Sequence, residues 1–183
     1  MPKSVHQVLV VDIESTCWKD KAPPNETSDI IEIGIVPLRV FDLSLGEKRS
    51  ILIKPTRSKI SEFCTKLTNL KEEDFENAIP LAEGYRVLEK EYESKSYMWA
   101  SYGQYDRLMF EKSCKDLDIS YPLSNDHLNI KSLFACAMGL HYTVGMSKAL
   151  ELLNLELEGT HHRGPDDAWN IARILKEIFK RIR

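Results

Sequence analysis

Two carboxylates follow an apolar run near the start of the chain. Val8 to Val11 are all apolar, and Asp12 and Glu14 come after them with one residue in between. Alternate side chains of a strand share a face, so both carboxylates are expected to point to the same side. Carboxylates that share a site repel each other unless a cation neutralises them. This pattern indicates a divalent-metal site, although a frayed strand end in water is the simpler alternative.

Three further residues with suitable chemistry lie much later in the chain. Asp106 falls in the first turn of one predicted helix and Asp167 in the first turn of the last one, five residues after His162. Both aspartates have an ordinary explanation, because acidic residues stabilise the positive end of a helix dipole. That explanation does not account for His162.

The periodicity of the sequence predicts the elements that must position these residues. Apolar runs and turn signals predict a first strand that ends in the two carboxylates, and then strands over 30–41, 49–53, 97–101 and 127–130. The first three are expected to form an antiparallel meander, with a loop over 17–29 beside the acidic site. Helical spacing and capping signals predict helices over 61–67, 71–75, 81–92, 106–117, 133–140, 146–153 and 165–182.

Length and composition describe an ordinary globular chain. At 183 residues, with 43% hydrophobic and 29% charged residues, we expect one domain over residues 1–183. No apolar run approaches the roughly 20 residues of a membrane span, and the N-terminus lacks a secretory pattern, so a cytoplasmic location and no membrane partner are expected. A net charge of −3 argues against coating of nucleic acid by bulk charge. The scattered cysteines are expected to be reduced and mostly in the core: Cys17, Cys64, Cys114 and Cys136.

The order and spacing of the acidic motifs resemble those of the DEDDh 3′–5′ exonucleases. The three motifs of that family are similar to segments 10–16, 102–106 and 162–167. Segments 12–17, 61–68 and 166–174 are in addition similar to the branch that contains the Eri-type RNA exonucleases and the KapD proteins. The resemblance implies an α/β ribonuclease-H-like fold, with a central mixed five-stranded sheet flanked by helices.

The same resemblance implies a catalytic set and a reaction. Two Mg²⁺ or Mn²⁺ ions, roughly 3.5 to 4 Å apart, would be held by Asp12, Glu14, Asp106 and Asp167. His162 would be the general base, because four residues separate it from Asp167 as in the family motif, whereas His161 is expected to be an exposed loop residue. The reaction would release nucleoside 5′-monophosphates from single-stranded 3′ ends, with RNA favoured over DNA. A DNA exonuclease or proofreading-type subunit, or a regulatory binding protein on the same fold, are the alternatives.

Four residues are implied as contacts for the terminal nucleotides. By similarity, Ser15 and Thr16 would lie near the sugar and its 3′-hydroxyl, while Leu67 and Tyr105 would wedge and stack on the last bases. Ordinary core packing explains Leu67 and Tyr105 equally well. Basic side chains on the surface are candidate phosphate contacts, with a solvated face as the simpler explanation: Lys54, Arg57, Lys59, Lys176, Lys180, Arg181 and Arg183.

Overall fold

The computed structural model describes residues 6–182, so the predicted phosphate contact Arg183 and both ends of the predicted domain 1–183 lie outside the described residues. Within this range the strands are β1 (Gln7–Ser15), β2 (Ile30–Arg39), β3 (Arg49–Leu52), β4 (Trp99–Ser101) and β5 (His127–Asn129). The helices are α1 (Glu62–Thr68), α2 (Leu81–Tyr92), α3 (Tyr105–Leu117), α4 (Ile130–Ala137), α5 (Met146–Leu152) and α6 (Gly164–Ile182), with a 3₁₀ turn at Glu72–Phe75.

The strands form one mixed sheet in the order β3-β2-β1-β4-β5. β1, β2 and β3 are antiparallel neighbours, while β1, β4 and β5 run parallel. Parallel strands end at the same edge of a sheet, so the carboxyl ends of β1 and β4 lie side by side. The C-terminal end of β1 and the segment that joins β4 to α3 therefore lie at the same edge of the sheet.

Alternation along β1 decides which face the carboxylates share. Val8 and Val10 pack into the core beneath α4, α5 and α6, whereas Leu9, Val11 and Ile13 pack into the opposite core beneath α2 and α3. Asp12 and Glu14 continue the even-numbered series, so they point to the α6 face. On β2 the residues opposite them are Gly34 and Glu32.

The start of α6 lies directly against β2. A Cβ atom at Gly34 would stand 1.9 Å from the carbonyl carbon of Gly164, and one at Gly164 would stand 2.9 Å from the Gly34 nitrogen. No side chain fits between the two backbones. The paired glycines therefore bring the first turn of α6, and Asp167 with it, down onto the carboxylates of β1.

Replacing Gly34 with Ala is expected to lower the free energy of unfolding by at least about 3 kcal/mol, the upper part of the range for overpacked cores. The added Cβ meets backbone atoms, which cannot rotate away as a side chain could. Urea unfolding followed by circular dichroism measures the change. Gly145→Ala is the matched control, because nothing lies within 4 Å of a Cβ there; equal losses in both variants would contradict the close approach.

The structure confirms the predicted α/β fold with its mixed five-stranded sheet and corrects several details. As predicted, β1 carries both carboxylates at its C-terminal end, and the strand ends at Ser15. α4 begins at Ile130, three residues before its predicted start. The cysteines were expected mostly in the core, but of the four only Cys64 is fully buried. Within residues 6–182, no helix combines the length and the apolar character that a membrane crossing requires.

Candidate active site

All five predicted catalytic side chains line one open cleft at the edge of the sheet. The cleft has a volume of about 300 Å³. Its walls are partly apolar and aromatic, with Tyr102, Tyr105, Met146 and Ile171 among the residues that line it. The polar residues that line it are Asp12, Glu14, Asp106, His161, His162 and Asp167. The fold thus brings Asp12 and Asp167, which are 155 residues apart in the sequence, to the same cleft.

The carboxylates reach the cleft from three elements. One ligand oxygen each from Asp12, Glu14 and Asp167 lie within 4.8 Å of one another. Asp106, in the first turn of α3, is buried and accepts a hydrogen bond of 3.1 Å from the backbone amide of Ile13. This bond fixes α3 to β1 beside the acidic group.

Burial and mutual repulsion raise the pKa values of these carboxyl groups. Burial, and then the charges of Asp106 and Glu14, raise the pKa of Asp12 well above its ordinary value. Burial raises the pKa of Glu14 to about 8 and that of Asp106 to about 6. The pKa of Asp167 is also raised by burial, although the neighbouring His161 opposes the shift. Protons therefore partly neutralise the metal-free site.

The donor atoms fit a hard divalent cation. Carboxylate oxygens are preferred by Mg²⁺ and Mn²⁺ over the imidazole and thiolate ligands that zinc prefers. Asp12, Glu14 and Asp167 offer three of them at close range. A divalent charge would also remove the repulsion that raises their pKa values.

The metal-free protein is expected to become less stable as the pH rises from about 5 to about 9. The folded protein retains the Glu14 proton up to a pKa of about 8, whereas the unfolded chain releases it near the ordinary value of 4.5. Stability falls with pH wherever the folded state binds more protons, at about 1.4 kcal/mol per unit of pKa shift, so we expect a loss of at least about 2 kcal/mol. Urea unfolding in chelator at several pH values measures it.

Glu14→Gln is the control for this pH dependence. The variant has no carboxyl group to titrate at position 14, so its stability should fall less steeply with pH than that of the wild type. Saturating Mg²⁺ should oppose the fall in the wild type, because metal binds the deprotonated ligands. Identical pH profiles for the variant and the wild type would show that Glu14 does not hold the proton.

Both histidines of the 161–162 pair lie at the cleft, and each contacts Asp167 differently. The backbone amide of His162 donates to Asp167 Oδ2 at 3.0 Å, while the Nδ1 atom of His161 lies 3.0 Å from the same oxygen. The His161 side chain is 41% exposed, as predicted for a loop residue, yet its contact with Asp167 was not foreseen. The two rings stack with centroids 4.0 Å apart.

Glu32 is a residue of the site that the sequence analysis missed. Its side chain is 0% exposed and lies on the face of β2 that carries the site. It accepts hydrogen bonds from Arg163 Nε at 3.1 Å and Nη2 at 2.9 Å, from the Gly164 amide at 2.9 Å and from the Ser50 hydroxyl at 2.5 Å. The signal was present in the sequence, because an acidic residue within the apolar run Ile30–Ile35 needs a partner when buried.

Arg163→Lys is expected to lower the free energy of unfolding by about 1 to 3 kcal/mol, the range for a lost hydrogen bond to a buried charge. An ammonium group cannot reproduce the two-pronged contact of the guanidinium with Glu32. Denaturant unfolding measures the loss. Arg107→Lys is the matched control, since Arg107 pairs with Glu111 on the exposed surface of α3; an equal loss there would argue against a special role for the buried pair.

Of the predicted substrate-binding residues, Tyr105 lines the cleft, whereas Thr16 and Leu67 do not. Tyr105 is 54% exposed at the cleft, and its hydroxyl lies 2.6 Å from that of Ser15. Thr16 is fully buried, with its hydroxyl between Ser58 and the amide of Asp29, so its side chain does not reach the cleft. Leu67 is partly buried on α1 and does not line the cleft.

The predicted phosphate contacts are in part engaged elsewhere. Arg57 forms ion pairs with Asp29 at 2.6 Å and with Asp116 at 2.7 Å. Its guanidinium group is therefore already paired within the protein and is less available to bind a phosphate. Lys180 pairs with Glu177 at 2.6 Å on α6. Contacts of the remaining basic residues with phosphate stay predictions.

Comparison with known proteins gives a family and a fold. The sequence model of the RNase_T family, described as Exonuclease, matches residues 9–175. The crystallographic nuclease domain of 3′hExo, a DEDDh family member bound to rAMP, superposes with a TM-score of 0.86 at 22% identity, over 96% of this chain and 92% of that one.

Two curated relatives also align along most of the chain. ERI1 exoribonuclease 2 of Xenopus laevis is 26% identical over 201 residues, which cover 94% of this chain and 28% of the relative. ERI1 exoribonuclease 3 of Homo sapiens is 27% identical over 195 residues, which cover 98% of this chain and 56% of the relative. This chain therefore spans only part of their length. The match over residues 9–175 places the chain in the Exonuclease family, and the superposition shows that it has the ribonuclease-H-like fold of a DEDDh exonuclease.

Proposed function

We propose that this chain is a metal-dependent 3′–5′ exonuclease that releases nucleoside 5′-monophosphates from single-stranded RNA. The observation that carries the proposal is the convergence of four carboxylates and a histidine on one open cleft. The family match supports attack from a chain end, and the exoribonuclease names of both relatives support the choice of RNA. In this proposal residues 1–183 act as one catalytic domain.

The carboxylates would hold two Mg²⁺ or Mn²⁺ ions. Asp12, Glu14 and Asp167, whose ligand oxygens lie close together, would hold them with the help of Asp106 on the same cleft. Bound divalent ions supply positive charge for the phosphate group and lower the pKa of bound water. The hydrogen bond from the Ile13 amide holds Asp106 in place, and the Gly34–Gly164 contact holds Asp167 over β1.

His162 would accept the proton of the attacking water. Burial, and then the charge of the neighbouring His161, lower the pKa of His162. The imidazole is therefore neutral near pH 7 and free to take a proton. The backbone hydrogen bond from His162 to Asp167 keeps the base beside the carboxylates.

The terminal nucleotide would lie against the ring of Tyr105, with Ser15 beside it. The exposed ring of Tyr105 is available for stacking on a base, which contributes about 1 to 3 kcal/mol and is tolerant of sequence. The Ser15 hydroxyl, 2.6 Å from that of Tyr105, can exchange this partner for the sugar. Leu67 would contact the bases only when the strand extends towards α1. Low sequence specificity should follow.

The proposal is tested with matched RNA and DNA strands of one sequence. Each strand carries a 3′ or a 5′ label, a circular RNA is included, and reactions contain Mg²⁺, Mn²⁺ or chelator. We expect the 3′ label to appear first as mononucleotide, the 5′-labelled RNA to shorten stepwise, and chelator to stop both. DNA should be degraded more slowly than RNA.

Other outcomes would select other functions. Cleavage of the circular RNA would refute an exonuclease, and faster degradation of DNA would favour a DNA exonuclease. Inertness on every strand with either metal would favour a regulatory binding protein.

A further inference from the structure

Two histidines and an aspartate form a second group of metal-ligating side chains beside the carboxylates. One ligand atom each from His161, His162 and Asp167 lie within 4.8 Å of one another. The group shares only Asp167 with the cluster that contains Asp12 and Glu14. His161, which the proposed catalysis does not use, supplies the additional nitrogen.

The donor atoms of this second group suit a different class of metal. Imidazole nitrogen is a good ligand for Zn²⁺, whereas Mg²⁺ prefers oxygen. Zinc sites that keep an open position use three protein ligands, and two imidazoles with one carboxylate are a suitable set. With bonds of about 2.0 to 2.1 Å, tetrahedral ligand atoms lie about 3.4 Å apart. The 3.0 Å between His161 Nδ1 and Asp167 Oδ2 is close to that spacing.

Backbone hydrogen bonds and contacts of the adjacent residues hold the ligands of this group in place. The amide of His162 donates to Asp167 at 3.0 Å, and the next residue, Arg163, is tied to buried Glu32. At the other end of the loop the amide of Thr160 donates to Asp166. Such contacts orient the ligands before a metal binds. The side chains therefore lose little further conformational freedom when the ion binds. The two stacked imidazoles need only rotate about their side-chain bonds.

We propose that His161, His162 and Asp167 form a Zn²⁺ site whose occupation inhibits the nuclease. Zinc bound there takes one carboxylate of the acidic cluster and the imidazole that accepts the proton. The inhibition rests on the proposed function, whereas the binding of zinc does not. The two parts can therefore be tested apart.

The binding test measures the Zn²⁺ affinity of the full chain by competition with a chromophoric chelator. His161→Gln should weaken binding more than about tenfold, a loss that even an outer-shell partner of a metal produces. His141→Gln is the control, on the exposed loop between α4 and α5, and should bind as the wild type does. X-ray absorption of the zinc-loaded proteins should show two imidazoles in the wild type and one in His161→Gln. Equal affinities with equal imidazole signals would overturn the site.

The activity test adds Zn²⁺ to RNA hydrolysis at saturating Mg²⁺, with each protein compared with its own zinc-free rate. The zinc concentration that halves the rate should be higher for His161→Gln than for the wild type. The ratio of the two concentrations should equal the ratio of the two Zn²⁺ affinities. Zinc held by two imidazoles in a protein that hydrolyses no RNA would uphold the site and reject the proposed function. RNA hydrolysis that zinc inhibits equally in both proteins would reject the inhibitory site alone.

Discussion

Replacement of Asp12 by Asn is expected to abolish RNA hydrolysis and, at the same time, to stabilise the metal-free protein. Burial, and then the charges of Asp106, Glu14 and Asp167, raise the pKa of Asp12 well above its ordinary value. An amide has nearly the same shape but no negative charge, so it cannot neutralise a divalent cation. We expect hydrolysis to fall at least about a thousandfold, equivalent to about 4 kcal/mol of transition-state stabilisation.

The gain in stability follows from the same repulsion. Without the charge at position 12, the remaining carboxylates are less crowded, and the free energy of unfolding in chelator should rise by about 1 kcal/mol, or about 2 to 4 °C in melting temperature. Such a trade between stability and function is common at strained active sites. Loss of activity together with loss of stability would instead point to a structural role for Asp12.

Thermal melts with and without Mg²⁺ separate the two effects. A cation that binds only the folded protein stabilises it by about 2.7 kcal/mol at a hundred times its dissociation constant. The wild type should gain this increment and the Asp12→Asn variant only a fraction of it. Asp126→Asn is the control, since Asp126 is exposed and is not among the residues that line the cleft; it should respond to Mg²⁺ as the wild type does.

The parts of the fold that follow local rules were predictable from the sequence. The alternation of β1 determined that Asp12 and Glu14 share a face, and the turn before α3 placed Asp106 in its first helical turn. α1 was predicted over 61–67 and is observed at Glu62–Thr68, where Ser61 accepts from the Cys64 amide. In each case the deciding interaction lies within a few residues of the chain.

Features that depend on contacts between distant segments were not predictable in the same way. Gly34 and Gly164 are 130 residues apart, and neither position alone indicates that two backbones meet there. Glu32 and Arg163 are likewise brought together only by the docking of α6 on β2. Thr16 has the residue type of a ligand contact, but the loop over 17–29 folds back so that Asp29 and Ser58 take its hydroxyl.

Replacement of His162 by Asn is expected to lower turnover by about a hundredfold to ten-thousandfold, the range for a lost general base. Asn is the informative substitution because His162 has a φ of 64°, in the left-handed region that Asn tolerates and Ala does not favour. The backbone amide can therefore keep its hydrogen bond to Asp167. Only the imidazole is removed.

A split between binding and turnover distinguishes a base from a structural residue. Since His162 is outside the proposed set of carboxylate ligands, the affinity for Mg²⁺ and the KM for RNA should stay near their wild-type values while kcat falls. Steady-state kinetics on a labelled oligonucleotide, with Mg²⁺ titrated separately, gives all three. Parallel losses in metal affinity, KM and kcat would mean that the substitution has disturbed the site as a whole.

His161→Asn decides which of the two imidazoles accepts the proton. Their rings stack 4.0 Å apart and both lie at the cleft, so geometry leaves the choice to experiment. The spacing of four residues to Asp167 selects His162, and the contact of His161 with Asp167 would be broken when that carboxylate binds a cation. We therefore expect His161→Asn to lower kcat less than tenfold, well short of the loss for a general base. A larger loss at position 161 than at 162 would transfer the role of base to His161.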